Sequence, residues 1–170
     1  PNGSGKSTLL SILRGLLRPT RGTVRHGRGE TEIDRTEWRL HLGVVAPSMA
    51  VYDELDAMEN LRFFARVRGL KGADDRCREM LARVGLDADR RTTVLGFSTG
   101  MAQRLKIAQA LLHDPAVVVL DEPGSNLDPS GKDWLEDTVR QLAADGKTIV
   151  LATNDRREME WGTSHVALAE

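Results

Sequence analysis

The chain opens with the stretch Pro1-Asn2-Gly3-Ser4-Gly5-Lys6-Ser7-Thr8, whose Gly5-Lys6-Ser7 matches the last three fixed positions of the pattern G-x-x-x-x-G-K-[ST]. Gly3 and Gly5 lack side chains, so successive backbone N–H groups can turn inward and cradle phosphate oxygens where a helix begins. Lys6 would reach the β- and γ-phosphates, and the Ser7 hydroxyl would bind Mg²⁺, a hard cation that takes oxygen ligands. The stretch predicts a phosphate-binding loop; the alternative is an ordinary Gly/Ser turn before a helix. Because the first glycine of the pattern would precede Pro1, we expect an N-terminally truncated chain.

Composition limits the possible classes of protein. The 170 residues, 40% hydrophobic and 29% charged, suffice for one well-buried globular domain. Lys+Arg 24 against Asp+Glu 25 gives a net charge of −1, which offers no bulk attraction for nucleic acid or an anionic membrane. No apolar run approaches the ~20 residues of a membrane span, and the single Cys77 fits a reducing compartment. We therefore expect no nucleic-acid partner and a membrane role only through a partner chain.

Hydrophobic periodicity predicts alternating helices and strands. Helical spacing of leucines extends from Lys6 to Leu17, and Asp128-Pro129 begins another helix that runs to Gly146. Asp155 and Glu158 are expected to cap a short helical turn. The predicted strands are Leu42–Ala46, which ends at Pro47, Ala116–Leu120, Thr148–Ala152 and a last strand at Ser164–Leu168. Short continuous apolar strands between helices are typical of an α/β fold with a mostly parallel sheet.

Residues 51–112 differ from the rest because their pattern is helical. Asp56 and Glu59 form a capping-box pattern ahead of one helix, and a second helix is expected from Asp74 to Val84. A third is predicted from Met101 to Leu112. We interpret this part as a helical subdomain inserted between strands.

Two carboxylates follow the strongest predicted strand, in Leu120-Asp121-Glu122-Pro123. Open α/β sheets bind ligands at the carboxyl ends of their strands. Asp121 can hold the Mg²⁺ shared with Ser7, while Glu122 can orient, or accept a proton from, water attacking a γ-phosphate. Strand ends are often acidic and solvated, but together with Gly5-Lys6-Ser7 the pair predicts a phosphoryl-transfer site.

A third motif carries a family resemblance that covers the whole chain. The stretch Phe97-Ser98-Thr99-Gly100-Met101-Ala102-Gln103-Arg104 resembles the signature motif of ATP-binding cassette (ABC) ATPases, and Ser125-Asn126-Leu127-Asp128 is similar to their D-loop. Val51-Tyr52-Asp53-Glu54-Leu55 is most similar to ATPases of the heme-exporter and drug-exporter type. The resemblance implies one P-loop NTPase domain over residues 1–170. Its RecA-like core would comprise residues 1–50 and 113–170, and its helical subdomain residues 51–112, which end in the signature helix.

The resemblance also implies a function and its site residues. The chain would bind and hydrolyse Mg-ATP in a head-to-tail dimer with a second ABC ATPase subunit, as a homodimer, and drive a transmembrane permease from the cytoplasmic face of the cell membrane. Glu122 and Asn154 would be catalytic, and Ser7 and Asp121 would hold Mg²⁺. The implied ATP-binding residues are Asn2, Gly3, Ser4, Gly5, Lys6, Ser7, Thr8, Ser98, Thr99, Gly100 and Asp128, the last at the dimer seam.

Two departures from the family pattern leave alternatives open. Pro47 stands where a glutamine is expected, with Ser48 as the nearest polar residue, and Asn154 replaces the switch histidine. An amide can donate a hydrogen bond but carries no proton or positive charge. The alternative function is an ATP-gated binding module with little turnover. Another is a soluble ABC protein of DNA repair or translation, although the long coiled coils of repair members are absent between the phosphate loop and the signature stretch.

Overall fold

A computed structural model describes residues 4–28 and 30–168 of the chain. Its α-helices are α1 Lys6–Leu13, α2 Arg35–Trp38, α3 Ala57–Val67, α4 Ala73–Arg83, α5 Thr99–Leu111, α6 Pro129–Ala144 and α7 Arg156–Met159. Short 3₁₀ turns span Arg39–His41 and Val94–Gly96. The strands are β1 Gly27–Arg28, β2 Thr31–Glu32, β3 Leu42–Val45, β4 Val117–Asp121 and β5 Thr148–Ala152. Helices and strands alternate over most of the chain, as the periodicity predicts.

The central sheet is parallel, with the strand order β3-β4-β5. Val45 pairs with Leu120 across β3 and β4, and Asp121 pairs with Ala152 across β4 and β5. Since the strands run in the same direction, their carboxyl ends meet at one edge of the sheet. This register brings the ends of all three strands to one edge. The separate pair β1 and β2 is antiparallel.

Burial on both faces explains the continuous apolar run of β4. Val119 packs in one cluster with Leu10 of α1, Leu42 and Ala152. Val118 and Leu120 point to the other side, into the large cluster that contains residues of α5 and α6. Strands covered on both faces lose the alternation of apolar and polar residues.

Helix α3 begins with the predicted capping box. The Asp56 carboxylate accepts from the Glu59 backbone N–H at 2.8 Å, and the Glu59 carboxylate accepts from the Asp56 N–H at 2.9 Å. One turn later, the fully buried Asn60 side chain accepts from the Tyr52 N–H at 2.8 Å and donates to the Tyr52 carbonyl at 3.0 Å. These bonds fix the segment that enters the helix.

The expected helical subdomain is packed continuously against the sheet. Leu61 of α3, Leu81 of α4 and Leu105 of α5 are fully buried in the cluster that also contains Val45 and Leu120 of the sheet. Gly43 of β3 lies so close to α5 that a Cβ atom there would be 2.5 Å from the Ala110 carbonyl oxygen. The division into residues 1–50 with 113–170 and residues 51–112 remains a prediction.

Three local predictions are wrong, each for a physical reason. Helix α1 ends at Leu13 because Gly15 has φ 71, and the Leu16 N–H then bonds to the Ser11 carbonyl at 2.8 Å. Residues 164–168 pair with no described strand, and Val166 is 81% exposed, so the apolar pattern there has neither a ladder nor a core. Asp155 does cap α7, but Glu158 is buried instead of capping it.

Over residues 4–28 and 30–168, no helix has both the length and the apolar character needed to cross a bilayer.

The capping box leads to a stability prediction. Replacing Asp56 by Ala removes the cap and the ion pair with Arg91 at 3.2 Å, and we expect the free energy of unfolding to fall by about 1–2 kcal/mol. Asp34→Ala is the matched control, because Asp34 caps the four-residue α2, which has no buried residue; its effect should stay within about 0.5 kcal/mol. Urea denaturation measures both, and equal losses would contradict a specific role for the buried cap.

Candidate functional site

The start of α1 faces the carboxyl edge of the sheet. Gly5 precedes the helix with φ 88, a left-handed conformation that a glycine adopts without steric penalty. Lys6 and Ser7 form the first turn that follows. Ser4 and Thr8 lie among the described residues, whereas the predicted ligands Asn2 and Gly3 lie outside them.

A hydrogen bond joins Ser7 of α1 to Asp121 of β4. The Ser7 hydroxyl donates to Asp121 Oδ2 at 3.0 Å, and Asp121 is only 8% exposed. A hydroxyl and a carboxylate are both oxygen donors of the kind Mg²⁺ selects, and Mg²⁺ usually takes its other ligands from phosphates and water. The donor set therefore fits Mg²⁺, and no group of three or more His, Cys, Asp or Glu suited to a metal occurs in the part of the chain that the structure describes.

Lys6 brings the two expected catalytic residues together. Its Nζ donates to Asn154 Oδ1 at 3.0 Å and lies 3.8 Å from Glu122 Oε1. The Asn154 backbone N–H donates to Glu122 Oε2 at 3.4 Å. Residues far apart in the sequence thus form one cluster of a cation, a carboxylate and an amide at the sheet edge.

Glu122 occupies an unusual backbone conformation. Its φ of 48 is left-handed, a region that costs an L-residue roughly 1–2 kcal/mol. Its N–H donates to the Ala152 carbonyl at 2.8 Å, which continues the ladder beyond β4. Glu122 Oε1 is buried and makes no hydrogen bond within residues 4–28 and 30–168. A buried acceptor of this kind is suited to a ligand or water that completes the site.

A cavity of about 190 Å³ extends from these carboxylates to helix α5. One face of α5 lines it with Thr99, Ala102, Gln103 and Lys106, and Pro47 also lines it. Gln103 also donates to the Pro123 carbonyl at 2.7 Å, which ties α5 to the loop after Glu122. Sequence reasoning missed Gln103 and Lys106, although their spacing from Thr99 along one helical face is the signal that could have found them.

A larger cavity, of about 600 Å³, lies elsewhere. It is formed by residues between Ile12 and Arg35, at the end of α1 and around β2. No predicted site residue within residues 4–28 and 30–168 lines it, so we place the chemistry at the sheet edge and not in the larger space.

The signature-like residues stand apart from the cluster at Lys6. Ser98 is exposed and caps α5 by accepting from the Met101 N–H at 3.2 Å, with Gly100 in the first turn. Asp128 is exposed and caps α6, accepting from the Gly131 N–H at 2.9 Å. Among the described residues, no hydrogen bond or ion pair joins Ser98 or Asp128 to Lys6. Of these residues, Thr99 lines the cavity that Asp121 and Glu122 also line.

Comparison with known families matches residues 1–125 to the family described as ABC transporter. The daunorubicin resistance ATP-binding protein of Streptomyces coeruleorubidus is 34% identical over 172 residues, which cover 100% of this chain and 54% of that protein. A fluoroquinolones export ATP-binding protein of Mycobacterium tuberculosis is 39% identical over 163 residues, 91% of this chain and 51% of that protein. The chain spans about half the length of these curated relatives.

Solved structures share the fold. A dimeric ATP-binding cassette in a post-hydrolysis state, bound to ADP and Pi, superposes with a TM-score of 0.80 and 28% identity over 95% of this chain and 75% of that chain. The cbiO1 protein of Clostridium perfringens, part of an ABC transporter complex, superposes with a TM-score of 0.77 and 28% identity over 91% of this chain and 64% of that chain. The likeness confirms the predicted P-loop NTPase fold.

Because of the left-handed conformation of Glu122, we expect a glycine variant at this position to be more stable than an alanine variant, the reverse of the usual order. Both Glu122→Gly and Glu122→Ala remove the side chain, but only glycine relieves the left-handed strain, so the Gly variant should be more stable by about 1 kcal/mol. At Asp137, an exposed position inside α6, the Ala variant should instead be more stable by about 1 kcal/mol. Thermal and urea unfolding of the four variants measure this; the same order at both positions would contradict it.

Proposed function

This chain belongs to the ABC transporter family, and we propose that it is the ATP-binding subunit of an exporter-type ABC transporter. In this proposal it binds Mg-ATP, hydrolyses it in a head-to-tail dimer and thereby drives a membrane permease. The observation that carries the proposal is the convergence of Lys6, Ser7, Asp121, Glu122 and Asn154 at one sheet edge. Each supplies a group that phosphoryl transfer requires.

The nucleotide would be held at the start of α1. Ser4, Gly5, Lys6 and Thr8 would bind its phosphates together with Asn2 and Gly3. The left-handed Gly5 and the exposed N–H groups of a first helical turn support this assignment. Lys6 would exchange its hydrogen bond to Asn154 for phosphate oxygens, because a dense negative charge attracts an ammonium group more strongly than an amide does.

Mg²⁺ would bind between Ser7 and Asp121, whose oxygens already meet at 3.0 Å. When bound, the ion would neutralise charge on the β- and γ-phosphates. Asp121 is nearly buried, so its charge is poorly screened by solvent and favours a cation at this point.

Glu122 and Asn154 would handle the attacking water. Glu122 Oε1 makes no hydrogen bond among the described residues, and this oxygen is the one we assign to the water. Asn154 would hydrogen-bond the γ-phosphate with its amide. A positioned base contributes typically about 10²–10⁴-fold in rate, which makes Glu122 the main chemical group of the site.

Ser98, Thr99, Gly100 and Asp128 would complete the site of a second subunit. Ser98 and Asp128 are exposed helix caps, so their side chains are accessible to another chain. The related cassette solved with ADP and Pi is described as dimeric. The division into a core of residues 1–50 and 113–170 and a helical part of residues 51–112 belongs to this proposal.

A permease and a position at the cytoplasmic face of the cell membrane follow from the same proposal. The relatives named above are drug resistance and export proteins. The charge balance of the chain offers no bulk attraction for nucleic acid, so we propose a protein partner at the membrane instead of a nucleic acid.

An ATP-gated binding module is the second candidate function. It is favoured by Pro47, which lines the cavity beside Asp121 and Glu122 without offering a donor, and by the neutral amide of Asn154. In this case ATP would bind and promote dimerisation while turnover stayed low.

Substitution of Glu122 tests the proposed function. Glu122→Gln should lower single-turnover ATP hydrolysis by about 10²–10⁴-fold while ATP still binds, because the amide keeps the shape but cannot accept the proton. Lys6→Ala should instead abolish measurable ATP binding in a nucleotide titration, because the cation at the phosphates is lost. Asp137→Asn, an exposed change on α6, is the control. Wild-type turnover in Glu122→Gln would assign the chemistry elsewhere.

Substitution of Asn154 separates the two candidate functions. Asn154→His should raise the single-turnover rate by about 5–30-fold, since a charge-assisted hydrogen bond to the γ-phosphate is worth about 1–2 kcal/mol more. The gain should grow as the pH falls through ~6.5, where imidazole becomes charged. If Asn154→Ala equals wild type and Asn154→His gains nothing, the side chain has no role. A wild-type rate no higher than that of Glu122→Gln would favour the binding module.

A further inference from the structure

Glu158 is an acidic residue whose side chain is buried in the protein interior. It lies in the short helix α7, four residues after Asn154, and is only 1% exposed. Its Oε2 is buried and makes no hydrogen bond within residues 4–28 and 30–168. Glutamate is almost never buried so fully unless it is paired, so this placement requires an explanation.

The carboxyl group of Glu158 packs directly against the loop that follows β4. A Cβ atom at Gly124 would lie 2.0 Å from Glu158 Oε1 and 3.2 Å from its Cδ, so only glycine leaves room for the carboxyl group. The loop, which we define as Glu122–Asn126, contains two left-handed residues other than glycine, Glu122 with φ 48 and Asn126 with φ 70. Such strain persists only where surrounding contacts over-determine the backbone.

Hydrogen bonds to other elements hold the first two residues of the loop. Glu122 is bonded to Ala152 at 2.8 Å, and Pro123 accepts from Gln103 at 2.7 Å. Glu158 supplies the packing under Gly124, at the middle of the loop. The same side chain belongs to the segment that carries Asn154, so it joins the two elements that hold the proposed water-handling groups.

We propose that Glu158 is a positioning residue, which locks the loop Glu122–Asn126 onto the segment Thr153–Glu158 and so fixes the place of Glu122 relative to Asn154. This inference rests on the proposed catalytic role of Glu122. Glu158 itself does not contact the reacting atoms; it acts through the backbone of Gly124.

The surroundings of Glu158 favour its neutral, protonated form. Burial raises the pKa of Glu158 from its ordinary value of 4.5; a hydrogen bond with Thr153 opposes the rise, and the charges of Asp155 and Glu122 add to it. Lys132 of α6 also faces it and lowers the pKa, but its ammonium is paired with Asp155 at 2.5 Å. Ionisation would place a third negative charge beside Glu122 and Asp155 and loosen the loop. Positioning should therefore weaken as the pH rises through the native pKa of Glu158.

The test compares Glu158→Ala, Glu158→Gln and Gly124→Ala with Leu142→Ala. Leu142 is buried in the α6 core, so its truncation controls for a general loss of stability. Glu158→Ala and Gly124→Ala should slow single-turnover hydrolysis by about 10–100-fold through misplacement of Glu122, with the affinity for ATP changed less than about 3-fold. Leu142→Ala should change neither. Glu158→Gln, which keeps the shape of the neutral acid, should restore the rate and abolish the fall in rate that wild type shows as the pH rises through the native pKa of Glu158.

Two measurements independent of hydrolysis keep this inference separable from the proposed function. Amide exchange of residues 122–126 should be faster in Glu158→Ala than in Leu142→Ala. The stability of wild type relative to Glu158→Gln should also fall as the pH rises above 4.5, because the unfolded carboxyl then ionises while the buried one stays protonated.

Unchanged loop exchange in Glu158→Ala, or a stability difference that does not vary with pH, would overturn the inference. If no variant hydrolyses ATP but both results appear, the proposed function fails and the positioning of the loop stands.

Discussion

Parallel pairing of β4 with β3 and β5 sets the places of Asp121, Glu122 and Asn154 in the candidate site. Because Asp121 lies opposite Ala152, the residues just beyond β5 stand beside the residues just beyond β4. The register also continues past the strand, since the Glu122 N–H bonds to the Ala152 carbonyl. A slip of one residue would turn Asp121 toward the opposite face and separate it from Ser7. Val118 and Leu120 pack on one face of β4 and Val119 on the other, so the register also decides which neighbours each of these residues meets.

Electrostatic balance is the second constraint on this edge. Asp121, Glu122 and Glu158 bring three carboxyl groups to the same short stretch of structure, all with restricted access to water. Lys6 lies between Glu122 and Asn154, and Lys132 pairs with Asp155. Burial raises the pKa of Glu158 and so favours its neutral form, while Asp121 presents its carboxylate to Ser7, an arrangement that suits a divalent cation. A change in the protonation of Glu158 would therefore change the field at Glu122, whose charge acts on the pKa of Glu158.

The sequence predicts the elements that depend on a local motif or on a periodic pattern of apolar residues. Continuous apolar runs identify β3, β4 and β5, and the spacing of Asp56 and Glu59 identifies a cap that forms as expected. The pairing of Ser7 with Asp121 follows from two motifs with related chemistry. Sequence reasoning fails where the backbone conformation of one residue, or a contact distant in the sequence, overrides the apolar pattern. Gly15 ends α1 although leucines continue the pattern, and residues 164–168 find no partner strand. Glu158 looks like a cap until Gly124 makes room for it in the interior.

The loop after β4 shows why the site needs such long-range support. Glu122 must present its carboxylate to a water molecule, and its left-handed backbone turns the chain away from the strand direction at that residue. A glycine would adopt this conformation without strain but would bring no carboxylate, so the strain is the consequence of placing an acid at the turn. The compensation comes from α5 through Gln103, from β5 through Ala152 and from α7 through Glu158. Helix α5 begins at the exposed Ser98, and the loop leads to the exposed Asp128. A partner that binds these two caps in the proposed dimer would therefore act on Glu122 through the contact of Gln103 with Pro123 and through the loop itself.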